Sequence, residues 1–249
     1  MQVLNRARQP GAVETEDLTK TFGDLRAVDD LNLSIKQNTI FGFLGPNGSG
    51  KTTTIKMLCG LLKPTSGRAY VLGKDISADE VEDSIGYMPQ ETALYINLTI
   101  GQNIQLYGEL FGLSRNEISR RRSELLELID LADWQDKRVE ELSGGMKHRA
   151  SLACSLIHEP EVLFLDEPTV GVDPDLRASF WVYFLRLKDQ GTTLLITTHY
   201  MDEARNCDTI GMLDKGDLVA EGSHSELLDD TGTDSLEDAF LQYTKGEKA

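Results

Sequence analysis

Gly45-Pro46-Asn47-Gly48-Ser49-Gly50-Lys51-Thr52 stands between a short apolar run, residues 39–44, and a helical pattern that opens at Lys51. It fills every fixed position of G-x-x-x-x-G-K-[ST], a loop that wraps phosphate groups. The chemistry requires these residue types. Glycines let the backbone close around phosphates and aim its N–H groups inward. The first turn of the following helix adds its positive dipole end. Lys51 is expected to reach the β- and γ-phosphates of a nucleotide, with the Thr52 hydroxyl on Mg²⁺ and Pro46, Asn47, Ser49 and Thr53 completing the cradle. The apolar run is too short for a helix and ends in a Gly/Pro cluster, so it reads as a buried strand. Strand, Gly-rich loop and helix in that order predict a parallel α/β sheet.

Downstream, Val162-Leu163-Phe164-Leu165 ends in Asp166-Glu167. A carboxylate at the end of a buried strand is costly unless a cation pairs with it. Asp166 is therefore expected in the Mg²⁺ shell, and Glu167 as the general base that polarises an attacking water. Alone, the pair would also suit a strand capped at a turn before Pro168. A helix over 174–189 leads to another apolar strand at 193–197. Residues 209–222 read as a closing hairpin, turning at Asp214-Lys215-Gly216-Asp217.

Upstream, residues 13–36 alternate and predict strands around a turn at Phe22-Gly23-Asp24, after a loose polar tail at 1–12. The helix that starts at Lys51 is expected to run to about Leu62, before the turn cluster 63–67. Short strands and a loop occupy 68–90. Residues 99–158 change to long helical periods. Ser114-Arg115-Asn116-Glu117 forms a capping box, and Ile118, Leu125 and Ile129 mark one face. A last amphipathic helix spans 235–243, with Leu236, Phe240 and Tyr243 on one side.

The chain's net charge of −16 argues against general nucleic-acid or anionic-lipid binding, so any phosphate site must be locally positive. Cys59, Cys154 and Cys207 are odd in number and lack metal-like spacing, which predicts packing in a reducing compartment. No apolar run approaches the ~18–20 residues of a membrane span, and residues 1–11 lack a signal-peptide core. A membrane role is thus expected to need a partner.

Leu142-Ser143-Gly144-Gly145-Met146 precedes the Asp-Glu strand. Ser143 is a good N-cap, and two glycines expose the first amides of the next helix, a second anion site. With it, the chain resembles the nucleotide-binding subunit of ATP-binding cassette (ABC) transporters, whose signature is LSGGQ. The order phosphate loop, glutamine, signature, Asp-Glu, histidine runs from about Val13 to Tyr243. The resemblance implies a phosphate-loop NTPase (RecA-like) core with N-terminal antiparallel strands and an inserted helical subdomain. The nucleotide-binding domain would span 13–225, with the core at 13–91 and 159–225 and the helical subdomain at 92–158. A C-terminal helical tail would follow at 226–249.

It also implies roles. Gln90, in Tyr87-Met88-Pro89-Gln90, matches the glutamine that meets Mg²⁺ or the lytic water and couples to the membrane subunit. His199 matches the switch histidine on the γ-phosphate, although a lone loop histidine is also a common structural residue. Asp173 matches the loop that crosses the dimer interface, and it reads equally as the N-cap before Pro174. Phe22 matches the ring that stacks on adenine, and it would also fit a core position. Ser143, Gly144 and Gly145 would face the γ-phosphate held by a second copy. Met146 departs from the usual glutamine and affects that contact alone. His148, His158 and His224 read as surface or packing residues.

The implied function is ATP binding and hydrolysis in a dimer that drives an integral membrane permease from the cytoplasmic face of the membrane. Met146 with Lys147-His148-Arg149, Asn97-Leu98-Thr99-Ile100, residues 107–113, 198–204 and 236–241 resemble the daunorubicin-type ABC-2 multidrug export ATPases. The chain also shows no added regulatory domain of the sugar-importer kind. A soluble ABC ATPase of the iron–sulfur scaffold type is the alternative. A nucleic-acid machine would need two cassettes or a long coiled coil.

Overall fold

The computed structural model describes residues 11–78 and 81–245. Most of the polar tail, residues 79–80 of the 68–90 stretch, and 246–249 lie outside the described residues.

Two sheets organise the chain. β1 (Val13–Phe22) and β2 (Leu25–Ile35) form a hairpin closed at Gly23-Asp24, and β4 (Ser66–Val71) and β5 (Lys74–Asp75) extend it as an antiparallel sheet ordered β2-β1-β4-β5. The second sheet comprises β3 (Ile40–Leu44), β6 (Ile85–Met88), β7 (Val162–Asp166), β8 (Thr193–Thr198), β9 (Thr209–Asp214) and β10 (Asp217–Gly222). Its order is β10-β9-β3-β8-β7-β6, parallel except for the β9–β10 hairpin. The central strands β3, β7 and β8 are buried throughout. Parallel strands covered on both faces need such unbroken apolar runs.

Period two divides the core. Ile40, Leu44, Leu163, Leu165, Leu194 and Ile196 meet Phe180, Trp181 and Phe184 of α5 (Pro174–Asp189) on one face. Phe41, Phe43, Val162, Phe164 and Leu195 meet the antiparallel sheet and α1 (Lys51–Leu58) on the other. Each fully buried aromatic contributes about 1.5–3 kcal/mol.

α1 ends four residues earlier than the sequence predicts. Gly60 takes φ +71°, its N–H bonds the Met57 carbonyl, and the Leu62 N–H returns to Lys56 O at 3.0 Å. This left-handed glycine closure satisfies the last carbonyls before the 63–67 turn begins.

Between β6 and β7 run α2 (Ile100–Leu110), α3 (Arg115–Leu128) and α4 (Gly144–Leu156). Thr99 with Gln102 and Ser114 with Glu117 form capping boxes at the first two. A short helix α6 (Met201–Ala204) follows β8. After β10 come α7 (His224–Thr231) and α8 (Leu236–Lys245). Sequence reading passed over α7, although Ser223 and Glu226 form its capping box. Leu227, Leu236 and Ala239 are buried in the α5-side core, with Phe240 and Tyr243 against it. Among the described residues, no helix is long and apolar enough to cross a membrane.

Candidate functional site

The phosphate loop leaves the carboxyl end of β3, where an open parallel sheet places its ligand crevice. Two glycines are sterically required. A Cβ at Gly45 would stand 2.2 Å from Leu213 O, and one at Gly50, which has φ +108°, would stand 2.5 Å from Ala27 O. Lys51 turns back over the loop, its Nζ donating to Gly45 O at 2.7 Å and Pro46 O at 3.0 Å. Desolvation lowers the Lys51 pKa, while Glu167 and Asp166 oppose that fall.

β7 and β8 pair Asp166 with Thr197. The Thr197 hydroxyl donates to Asp166 Oδ1 at 2.6 Å, and Thr52 Oγ1 donates to the same oxygen at 3.2 Å. Asp166 Oδ2 is buried without a partner. Burial raises the Asp166 pKa against these two donors. A free carboxylate oxygen beside a threonine hydroxyl fits a hard cation such as Mg²⁺, which takes a few protein oxygens and completes its shell with phosphates and water. Among the described residues no cluster of three or more His, Cys, Asp or Glu could hold a metal ion.

Glu167 is buried and left-handed, at φ +55°. Its N–H meets Thr197 Oγ1 at 3.0 Å and Thr197 O at 3.2 Å. Gln90 Nε2 donates to Glu167 Oε2 at 3.1 Å, and His199 Nδ1 lies 3.2 Å from Oε1. A cleft of about 460 Å³ opens above, lined by Phe22, Asn47, Gly48, Lys51, Thr53 and Glu167 among others. Phe22 is 49% exposed at the end of β1, so the core reading of this ring is set aside. Lys20 Nζ sits 5.1 Å from its centroid. A larger cavity of about 700 Å³, walled by Arg121, Glu124, Glu159 and Arg186, lies away from this chemistry.

The cleft thus unites phosphate-loop residues and Phe22 with Gln90 and Glu167; Asp166 and His199 reach it through their bonds to Thr52 and Glu167. It does not include Ser143, Gly144, Gly145 or Asp173. Ser143 caps α4, accepting the Met146 N–H at 3.3 Å, with open space where a Gly144 side chain would stand. Asp173 caps α5, accepting the Leu176 N–H at 3.1 Å, with Pro174 next.

Sequence reading missed three features. One is Thr197, whose hydroxyl donates to the Asp166 carboxylate and accepts the Glu167 N–H. Another is buried Glu203, which accepts Thr169 Oγ1 at 2.7 and 2.8 Å and Thr198 Oγ1 at 3.2 Å, with Arg177 Nε at 3.5 Å. The third is His148, buried with Nε2 at 2.9 Å from Glu167 O. The Thr197-Thr198-His199 run was a signal, but hydroxyls at a strand end are common.

A phosphate loop at the end of β3, faced by Asp166 at the end of β7 and Glu167 just after it, is the arrangement of the phosphate-loop NTPase fold. The family model described as ABC transporter matches residues 28–170. The chain is 44% identical over 237 residues to the probable multidrug ABC transporter ATP-binding protein YbhF of Escherichia coli, covering 92% of this chain and 41% of that protein. It is 44% identical to the daunorubicin resistance ATP-binding protein DrrA3 of Streptomyces coeruleorubidus (91% and 72% covered) and 38% identical to the linearmycin resistance ATP-binding protein LnrL of Bacillus subtilis (90% and 73%). The solved ATP-binding subunit of an ABC transporter superposes with TM-score 0.87 at 26% identity (94% and 99% covered). A dimeric cassette bound to ADP and Pi in a post-hydrolysis state superposes with TM-score 0.80 at 26% identity (85% and 98%). The chain belongs to the ABC transporter family. It spans about two-fifths of the Escherichia coli relative.

Proposed function

We propose that this chain binds and hydrolyses Mg·ATP as one half of a dimer and thereby drives export through a membrane permease, working at the cytoplasmic face of the membrane. The observation that carries the reading is the Glu167 carboxylate, held between Gln90 and His199 at the floor of the phosphate-loop cleft.

Each residue has a task. Phe22 offers its exposed ring to adenine. Lys51 exchanges the Gly45 and Pro46 carbonyls for β- and γ-phosphate oxygens. Thr52 and Asp166 Oδ2 would hold Mg²⁺, with Gln90 beside them, and the bound ion would supply charge neutralisation for the phosphates. Glu167 accepts a proton from water as the water oxygen bonds to the γ-phosphorus. The bond from that phosphorus to the β-bridging oxygen breaks, giving ADP and inorganic phosphate. His199 steadies the γ-phosphoryl oxygens.

Ser143, Gly144, Gly145 and Asp173 act across the dimer, on the nucleotide held by the second copy. Support comes from the exposure of Ser143, Gly144 and Asp173 and from the dimeric state of the ADP- and Pi-bound relative. Export is supported by the names of the relatives, which are multidrug and drug-resistance ATP-binding proteins. Those names do not favour the soluble scaffold-assembly alternative.

Glu167→Gln tests the assignment. Steady-state hydrolysis is expected to fall about 10²–10⁴-fold, the range of a lost general base, with nucleotide affinity retained. Turnover within a few-fold of the parent would remove Glu167 from that role.

A further inference from the structure

The conformation of Glu167 has to be held. Its φ of +55° is one that residues with side chains seldom adopt. The Thr197 hydroxyl and carbonyl fix the N–H side of this residue. On the carbonyl side, the oxygen accepts the Val170 N–H at 3.2 Å within the turn and meets His148 Nε2 at 2.9 Å. The carbonyl only accepts, so Nε2 must carry a hydrogen. Burial lowers the His148 pKa, and a neutral imidazole with its proton on Nε2 is the form that suits this site.

His148 stands three residues after Gly145, so the two share one face of α4. Both meet the segment that follows β7. Gly145 approaches it so closely that a Cβ would lie 2.9 Å from Gly171 O, and His148 reaches Glu167 O one turn further along. α4 is therefore a rigid backing against which residues 167–171 are pressed. Loss of the imidazole donor would leave a buried carbonyl with one partner fewer, and the Glu167 peptide free to turn. The carboxylate would then leave the position between Gln90 and His199.

We infer that His148 is a positioning residue for hydrolysis: its Nε2–H fixes the Glu167 peptide and so aims the carboxylate at water. The inference rests on the reading of Glu167 as general base. It gives α4 two roles, because the same helix offers Ser143-Gly144-Gly145 at its first turn and braces its own chain's Glu167 at its second.

The test compares His148→Leu, which fills the volume without a donor, with His148→Gln, whose amide carries an N–H to similar reach. Steady-state ATP hydrolysis of the full chain is measured with Mg²⁺, alongside nucleotide affinity and the thermal midpoint. The Leu variant is expected to lose kcat by roughly 10–100-fold, the scale of a misplacement near 1 Å, with KM and affinity within about twofold. The Gln variant is expected to recover most of kcat. If Leu fails to fold, His148→Asn replaces it, because its amide is too short to reach the carbonyl. An unchanged kcat in the donor-free variant, or equal loss in Leu and Gln, overturns the proposal. Glu167→Gln assayed in parallel separates the two ideas: if that variant stays active, the general-base reading fails and carries this one with it. If it is inactive while the donor-free His148 variant is fully active, the role of His148 alone fails.

Discussion

Lys51 Nζ donates to two loop carbonyls, contacts that a bound phosphate would replace. Its ammonium lines the cleft in a chain of net charge −16. Lys51→Ala is therefore expected to weaken ATP binding at least about tenfold, the scale of a lost charge-assisted contact, in a fluorescence titration. Unchanged affinity would contradict the phosphate-loop reading. Thr197 makes the complementary case. Thr197→Val keeps the shape but leaves Asp166 Oδ1 with the Thr52 hydroxyl as its one donor and removes a partner of the Glu167 N–H, at an expected cost of about 1–3 kcal/mol in urea unfolding. A change below about 0.5 kcal/mol, as at an indifferent site, would show those bonds to be idle. The two residues differ in how visible they were. Lys51 belongs to a contiguous motif, so eight neighbouring letters declare it. Thr197 acquires its role only when the β7–β8 register sets it opposite Asp166, and its local sequence is that of any strand. His148 was hidden for the same reason, since Glu167 is nineteen positions away.

Among the elements, periodicity located the central strands, which are buried throughout, and the long helix α5, which buries Phe180, Trp181 and Phe184. It overran α1, because Leu61 and Leu62 continue the apolar pattern past Gly60, and a left-handed glycine overrides such a pattern. It passed over α7, whose eight residues bury only Leu227 fully and offer little period to read. Packing among the helices has a sharp test at Gly108 of α2. A Cβ there would meet Ile118 Cγ1 of α3 at 2.8 Å and Ile157 Cγ1 at 3.3 Å. Gly108→Ala is expected to lower stability by about 1–3 kcal/mol through overpacking; a gain from helix propensity would show that α3 gives way. His158 joins three elements, stacking on Phe111 at 3.7 Å and bonding Ile85 O at 2.9 Å. Burial lowers its pKa from the ordinary value of about 6.5. The unfolded chain thus takes up the proton first. The stability from neutral His158 is full above pH 6.5 and is lost as pH falls toward the folded value. His158→Gln should flatten the thermal midpoint against pH below 6.5, and an unaltered slope would count against the buried neutral ring.

For the whole molecule, the site divides in two. Phe22, phosphate-loop residues, Gln90 and Glu167 line one cleft, while the capped Ser143-Gly144-Gly145 helix end and Asp173 are not among its lining residues. Family likeness named both halves from the sequence; their placement is a property of the folded chain, in which α4 leads into β7 and α5 follows it. The account therefore requires a second protomer to close the cage on the γ-phosphate. Light scattering on the Glu167→Gln chain measures this most directly. With Mg·ATP, twice the protomer mass is expected, with Mg·ADP a single protomer, and with Ser143→Arg added a single protomer in either nucleotide. A Glu167→Gln chain that stays monomeric in saturating Mg·ATP, or a dimer indifferent to Ser143→Arg, would contradict it.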